Sequence, residues 1–343
     1  MAFVGEAPAD EETLEGKPLV GPSGRLFDKL LRLNNIERAD CLVTNVVDIQ
    51  APNNDIDKLL CGKSVLPPEP GAYNLPYVTS GRYFPVHLIP QLERLKAEIE
   101  ACRPNLVVCM GGLAAWAFLG PTPIRDSRGA IASATSLVPG QKIMATYHPA
   151  NTFHDPKSFT LIAMDFAKAG VHSTTRTTDY RNRRIVIEPS ILELEDFATE
   201  ITTLGFQREP LGVDLETIPS ARHIKCISLA SGPNYAMVVP FLDSRKVSRS
   251  YWPDVETETR AWMAVKAICE SPVPKVLQNG VYDFRYLYDH GIEVRNYLHD
   301  TKLQHHALFP ELPKDLGTLV ACYAHERPWK LWRGKRDGRK REE

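Results

Sequence analysis

Two carboxylates separated by one residue are the strongest chemical signal in the sequence. Asp214 and Glu216 lie within residues 211–217, an apolar run whose alternation predicts a β-strand. Side chains two positions apart on a strand share a face, so these carboxylates would stand side by side and repel each other. A hard divalent cation bound through oxygen ligands compensates such repulsion. The pair therefore predicts a metal site.

A third acid follows further along the chain. Asp283 lies in residues 278–287, where the pattern predicts the start of a helix, and Asn279 precedes it with an Asn-x3-Asp spacing. An Asp-x-Glu strand followed by an Asn-x3-Asp helix resembles the first two motifs of the DnaQ-like 3′–5′ exonucleases. That family uses four acids to hold two metal ions for phosphodiester hydrolysis.

This resemblance implies a role for each residue. Two divalent ions, Mg²⁺ or Mn²⁺, would activate water and stabilise the leaving oxygen at a DNA 3′ end or single strand. Asp214 would bridge both ions, Glu216 would bind one and position the water, and Asp283 would hold the second. Asn279 would orient its segment or contact the end of the strand.

Residues 299–319 resemble the exonuclease domain of phage-type family A DNA polymerases, with an Asp-Thr pair before a helix and then an apolar-Pro-x-Leu-Pro-Lys-x-Leu run. The resemblance implies a proofreading domain with a downstream polymerase domain or replication partner. Asp300 is expected to be structural, and His305 and His306 to pack the helix or contact a strand rather than bind metal. The family's third motif, Tyr-x3-Asp or His-x4-Asp, is missing, so the chain looks truncated and its own hydrolytic activity is doubtful.

A second group of motifs lies near the start of the chain. Residues 5–8 (Gly-Glu-Ala-Pro), 16–24, 44–47 and 147–151 each follow a predicted strand. In this order they resemble the family 4 uracil-DNA glycosylases, whose resemblance covers most of residues 1–170. Such enzymes act on a base that is flipped out of the DNA stack.

The glycosylase resemblance assigns the residues of a uracil pocket. Glu6 would support the attacking water or the oxocarbenium-like charge, Asn45 would bind the uracil edge, and His148 would stabilise the negative charge on the base. Gly21 and Gly24 would let the backbone approach a phosphate.

Two departures from the glycosylase pattern affect its chemistry. Leu19 stands where the family stacks uracil on a Phe, and losing a stacking ring costs about 1–3 kcal/mol of base binding. Asp48 and Ile49 stand where an iron–sulfur ligand would sit, and no upstream Cys pair occurs, so no iron–sulfur cluster is expected. A domain that grips DNA without excising uracil is an equally open reading.

The elements that must position these residues fall into two patterns. Short apolar runs at 2–4, 41–47, 106–110 and 142–146 alternate with helical stretches, clearest at 25–33 and 91–101, which predicts an α/β layer fold. A short strand at 184–188 is followed by strands at 211–217, 226–230 and 235–240, which predict a β-meander, with helices at 193–204, 257–269 and 283–289. That order matches the ribonuclease-H-like fold. Residues 53–83, rich in Pro and Gly, predict a long loop.

We therefore expect two α/β domains: a three-layer α/β/α uracil-DNA-glycosylase-like domain (1–172) and a ribonuclease-H-like exonuclease domain (184–330). A linker (173–183) joins them and a basic tail (331–343) follows. A length of 343 residues suits two domains, and 43% apolar with 24% charged residues suits packed domains. Seven dispersed cysteines indicate reduced thiols in the cytoplasm, and the phage-type resemblance implies that of a bacterial or phage-infected cell. No segment is apolar enough to span a membrane.

Two functions from different classes remain open. One is a DNA-processing enzyme with metal-dependent 3′–5′ exonuclease activity and an N-terminal glycosylase-like DNA-binding domain. The other is a catalytically incomplete DNA-binding fragment of a larger family A polymerase. The three exonuclease acids favour the first, whereas Leu19 and the missing fourth acid favour the second.

Overall fold

A computed structural model describes residues 1–62, 78, 81–178, 180–204 and 209–326. The chain forms two compact units. Unit 1 comprises Met1–Tyr180 together with Gly317–Glu343, and unit 2 comprises Arg181–Leu316. Part of the predicted loop at 53–83, and the whole predicted tail at 331–343, lie outside the described residues. No helix in the described ranges is long and apolar enough to cross a membrane.

Unit 1 is built on a five-stranded sheet in the order β2-β1-β3-β5-β4. Its strands are β1 (Ala2–Gly5), β2 (Leu42–Asn45), β3 (Val107–Met110), β4 (Ile131–Ser133) and β5 (Lys142–Thr146). All neighbours pair in parallel except β4, which is antiparallel to β5. Every residue of β1, β3 and β5 is buried, as expected for parallel strands that are covered on both faces.

Helices cover the unit 1 sheet on both sides. They are α1 (Asp10–Glu15), α2 (Pro22–Leu33), α3 (Ile89–Cys102), α4 (Gly112–Leu119), α5 (Ile124–Ser127) and α6 (Ser158–His172). Side chains of α3 and α4 share one core with Val4 and Val107. Those of α2 and α6 share the other core with Phe3, whose ring lies 5.0 Å from Phe27 and 5.2 Å from Phe166. The predicted three-layer α/β/α architecture is confirmed.

Unit 2 contains a six-stranded sheet in the order β11-β10-β7-β8-β9-β6. The elements are β6 (Arg184–Ile187), α7 (Ile191–Leu204), β7 (Leu211–Ile218), β8 (His223–Ala230), β9 (Tyr235–Pro240), α8 (Val255–Glu270), β10 (Lys275–Leu277), α9 (Gly280–Asp289), β11 (Tyr297–Asp300) and α10 (Thr301–Leu308). Strands β7, β8 and β9 form an antiparallel meander, and β10 and β11 add to β7 in parallel. This is the ribonuclease-H-like order that the sequence predicted.

One further helix, α11 (Leu316–Tyr323), follows unit 2 along the chain. The expected exonuclease domain extends to residue 330, but Gly317 onward groups with unit 1. Buried polar contacts account for this grouping. The Lys168 ammonium donates to the carbonyl of Gly129 at 2.8 Å, to that of Ala324 at 2.7 Å and to that of Ala321. Carbonyls at the end of a helix lack intrahelical partners, and a lysine satisfies them.

Three buried side chains, those of Arg128, Thr146 and Asp165, support this helix clasp, the set of contacts that holds residues 317–326 on unit 1. Arg128 Nη1 donates to Asp165 Oδ1 at 2.7 Å, and Thr146 Oγ1 donates to Asp165 Oδ2 at 2.6 Å. Arg128 Nη2 also donates to Cys322 Sγ at 3.4 Å. Burial lowers the pKa of Lys168 to about 8, and the charge of Asp165 opposes that shift. A buried charge that loses its partner is costly in free energy, so these contacts hold the side chains of Arg128, Asp165 and Lys168 in place.

Candidate functional site

A cavity of about 160 Å³ in unit 1 brings four predicted site residues together. It lies where β1, β2 and β5 end, at the carboxyl edge where parallel sheets commonly place ligands. Its lining includes Glu6, Leu19, Asn45 and His148, together with Ala7, Pro8, Ala9, Glu12, Ser23, Ala51, Asn54, Ile56 and Ala150. One carboxylate, one amide and one imidazole therefore converge on a single small space.

Glu6 follows β1 and points to the start of α4. Its Oε1 accepts a hydrogen bond from the Leu113 N–H at 2.9 Å. Burial raises the pKa of Glu6, and backbone N–H groups of Leu113 and Gly112 oppose the rise because they stabilise the ionised carboxylate. Gly111 has φ +101°, and a Cβ there would lie 2.4 Å from Glu6 Cδ. Only glycine leaves room for this carboxylate.

Asn45 is the last residue of β2 and only 8% of its surface is exposed. A Cβ on Gly5 would lie 2.3 Å from Asn45 Oδ1, so glycine is required on the adjacent strand. A side-chain amide offers both donors and an acceptor, which matches the mixed donor and acceptor edge of a nucleobase.

His148 follows β5 and has a defined tautomer. Its Nδ1 accepts from the Ala150 N–H at 3.2 Å, so the ring proton is on Nε2. Burial lowers the pKa of His148 to about 4, and the charge of Glu12 opposes this shift. The ring is therefore neutral at pH 7 and presents an N–H donor.

Glu12 is a site residue that the sequence reasoning missed. Its carboxylate is 5% exposed and accepts three backbone N–H groups: Ala9 at 3.2 Å, Val20 at 3.1 Å and Gly21 at 2.9 Å. It thereby joins the segments on two sides of the cavity. The available signal was a Glu three residues after the start of a helix, weak here because Ala9 is not a capping Ser or Thr.

The segment that precedes α2 is compact. Leu19 is buried with φ +53°, and its carbonyl accepts from Arg38 Nη1 at 3.0 Å. A Cβ on Gly24 would lie 2.1 Å from the Leu19 oxygen, so Gly24 has an internal steric reason to be glycine. Gly21 is the N-cap of α2. Phosphate contact by Gly21 and Gly24 stays a prediction.

The predicted acids of unit 2 lie on and beside β7. Asp214 and Glu216 are exposed and alternate with the buried Val213 and Leu215, so the predicted strand and shared face are confirmed. Nearby protein atoms reduce the hydration of the Asp214 carboxyl and raise its pKa, and the charge of Glu216 raises it further.

Asp283 lies in the first turn of α9, 4% exposed, and its Oδ1 accepts from the Leu215 N–H at 3.1 Å. Burial, followed by the charge of Asp214, raises its pKa to about 7. Asn279 caps α9 with φ 64° and accepts at Oδ1 from Lys302 Nζ at 2.9 Å. The structure thus places Asp283 next to β7, which carries Asp214 and Glu216. The roles of these acids stay predictions.

Asp300 is occupied by structural hydrogen bonds. Burial alone would raise its pKa, but hydrogen bonds from Tyr297 and from backbone N–H groups lower it. The donors are Tyr297 OH at 2.6 Å and the N–H groups of Gly280 at 2.9 Å, Asn279 at 3.1 Å, Lys302 at 2.8 Å and Leu303 at 3.2 Å. One carboxylate thus joins β11, α9 and α10.

The donor types in unit 2 suit a hard divalent ion, because Asp214, Glu216 and Asp283 offer only oxygen. In the described ranges, however, no group of three or more His, Cys, Asp or Glu side chains is placed to hold a metal ion. The acids are near one another but do not form a preassembled cage. All seven cysteines are free thiols.

A parallel sheet between two helical layers, with a polar cavity at its carboxyl edge, defines unit 1 as an α/β/α domain of the glycosylase type. Residues 1–167 match the family model described as Uracil DNA glycosylase superfamily, and the chain belongs to that superfamily. Type-4 uracil-DNA glycosylase of Archaeoglobus fulgidus is 30% identical over 181 residues, covering 50% of this chain and 75% of that protein. The enzyme of the same name from Saccharolobus solfataricus is 28% identical over 177 residues, covering 49% and 68%.

Solved structures similar to this chain include two exonucleases. Escherichia coli RNase D has 17% identity and a TM-score of 0.29, covering 42% of this chain and 33% of that one. The EXD2 exonuclease domain soaked in Mg and dGMP has 15% identity and a TM-score of 0.26, covering 46% and 78%. Likenesses this weak do not define the fold of unit 2, which rests on its strand order.

Proposed function

We propose that unit 1 binds a uracil flipped out of DNA and excises it by hydrolysis of the N-glycosidic bond. The observation that carries the proposal is the convergence of Glu6, Asn45 and His148 on one cavity of about 160 Å³. The relatives named type-4 uracil-DNA glycosylase add support, because they match this unit over most of its length.

Each side chain has a distinct task in this proposal. When the bond between sugar and base breaks, the base leaves with the electron pair, and the neutral His148 ring donates its Nε2–H to the developing negative charge. Asn45 recognises the base edge through its amide. Glu6 stabilises the cationic sugar or accepts a proton from the water that adds to it.

The test is uracil release from a single-stranded oligonucleotide that contains one uracil, with the same strand carrying thymine as control. We expect slow release that Glu6→Gln and His148→Ala each abolish. Asn45→Asp should weaken uracil release, because it replaces the amide donor by a second acceptor at the base edge. Tight binding of the oligonucleotide without any release would instead support a DNA-holding domain, the alternative function.

For unit 2 we propose metal-dependent hydrolysis of DNA from a 3′ end, as in a proofreading exonuclease that works beside a polymerase domain. Support comes from Asp214 and Asp283: burial raises the pKa of each carboxyl, and a neighbouring charge, that of Glu216 for Asp214 and that of Asp214 for Asp283, raises it further. A bound cation would neutralise this negative charge. Bound Mg²⁺ or Mn²⁺ would activate water there. Asp214, Glu216 and Asp283 would hold the ions, and Asn279 would keep α9 in register with them.

The experiment for unit 2 is digestion of a 3′-labelled single strand with Mg²⁺, compared with the same reaction after Asp214→Asn. Loss of the 3′ label from the DNA with the wild-type chain, but not with Asp214→Asn, supports the nuclease. DNA binding without digestion in either chain supports the catalytically incomplete binding fragment.

A further inference from the structure

Arg94, on helix α3, is fully engaged with the segment that carries Asn45. Its guanidinium has five N–H donors, and each one has an acceptor in the structure. The acceptors are Gln91 Oε1 (3.1 Å), Glu98 Oε1 (2.6 Å), Thr44 Oγ1 (3.2 Å), Asn45 O (2.8 Å) and Val46 O (3.3 Å). No donor is left to bind a phosphate directly.

The position of β2 explains why these carbonyls need an external partner. Within the described part of the chain, β2 is an edge strand that pairs only with β1, so its outer backbone groups have no strand neighbour there. On the inner side, the Val46 and Val47 N–H groups donate to the carbonyls of Gly5 and Glu6 at 3.0 and 3.1 Å. On the outer side, Arg94 supplies the donors.

Glu98 orients the arginine. It accepts from Arg94 through one oxygen and from Thr44 Oγ1 through the other, at 2.6 and 2.7 Å. Because one oxygen binds Arg94 and the other binds Thr44, Glu98 connects the guanidinium to β2 through a charge-assisted hydrogen bond. Helix α3 is thereby connected to the residue that precedes Asn45 and to the two carbonyls that follow.

We propose that Arg94 is the positioning residue of the nucleobase pocket: it holds the end of β2 so that the Asn45 amide faces the cavity. The inference rests on the proposed excision function of unit 1. A catalytic amide that shifts by about 1 Å costs on the order of a hundredfold in rate. We expect Arg94→Gln to slow uracil release by roughly tenfold to a hundredfold on the same grounds.

The experiment compares the wild-type chain with Arg94→Gln, Arg94→Lys and a control, Lys96→Gln, which removes one positive charge from the same helix. Uracil release, oligonucleotide affinity at two salt concentrations, and amide hydrogen exchange of residues 42–50 are measured for each. We expect slower release and faster exchange at Val46 and Val47 in both Arg94 variants, because lysine keeps the charge but cannot form the fork. The DNA affinity of both Arg94 variants should equal that of the wild-type chain. Lys96→Gln should match the wild-type chain in all three measurements.

Three outcomes separate the possibilities. A loss of DNA affinity with a smaller salt dependence would overturn the proposal, because Arg94 would then bind phosphate. Unchanged exchange at Val46 and Val47 would overturn it as well. If the wild-type chain releases no uracil, the excision function fails, while the exchange experiment still decides whether Arg94 holds the β2 end.

Discussion

The acids of unit 2 should make this protein less stable than it would be without them. Asp283 has an ordinary pKa of 3.8 that the fold raises to about 7. A raised carboxyl pKa means that the folded protein binds the proton more tightly than the unfolded chain does. Stability is therefore greatest below about pH 4 as far as this group is concerned, and it falls as the pH rises through 7.

The magnitude follows from the shift. At about 1.4 kcal/mol per pKa unit, roughly three units correspond to about 4 kcal/mol lost between pH 4 and above pH 7. Burial is the larger cause and the charge of Asp214 the next. Asp214→Asn removes the second cause only, so we expect the pKa of Asp283 to fall part of the way towards 3.8 and stability at pH 8 to rise by about 1.4 kcal/mol for each unit by which that pKa falls.

The assay is urea unfolding of the full chain at pH 5 and pH 8, with a carboxyl titration of Asp283 by NMR. Asp196→Asn, an exposed acid on α7, is the matched control and should leave both measurements unchanged. If Asp214→Asn stabilises the chain no more at pH 8 than at pH 5, then the charge of Asp214 does not act on Asp283, and the argument for a cation between them is refuted.

Three further predictions concern the two sites. Leu19→Phe should increase uracil release several-fold, because a ring supplies about 1–3 kcal/mol of base stacking, and a slower variant would contradict the weakened pocket. Gly111→Ala should abolish release and lower the melting temperature, because the new Cβ would lie 2.4 Å from Glu6 Cδ at φ +101°; activity like that of the wild type would show that the carboxylate can move. Calorimetry should show Mn²⁺ binding that strengthens as the pH rises through about 7, where Asp283 loses its proton, and that disappears in Asp214→Ala.

Strands that read as distinct apolar runs were predictable from the sequence, whereas an all-apolar helix and a three-residue strand were not. The strand at 142–146 and that at 235–240 were predicted with the observed bounds. In contrast, α4 was missed because six of its eight residues are buried, so it has no polar face to give a helical period. β10 has three residues and follows Pro274, which leaves too little pattern for any prediction.

The candidate sites divide in the same way. Glu6, Asn45 and His148 were predicted through the resemblance to the glycosylases. Their motifs lie at or just after strand ends, and the ends of parallel strands meet at one edge of the sheet. Glu12 and Arg94 were not predictable, since their partners are backbone groups brought near by the fold. No residue-type pattern marks a carbonyl that needs a donor.

The helix clasp has a consequence for the order in which the protein is made. Residues 317–326 belong to unit 1 but leave the ribosome only after all of unit 2 has been synthesised. Until then the Lys168 ammonium can donate a hydrogen bond to the Gly129 carbonyl, but the carbonyls of Ala321 and Ala324 are not yet present to accept one. Domains usually fold as they emerge, the N-terminal one first. Here the first domain to emerge would be the last to be completed.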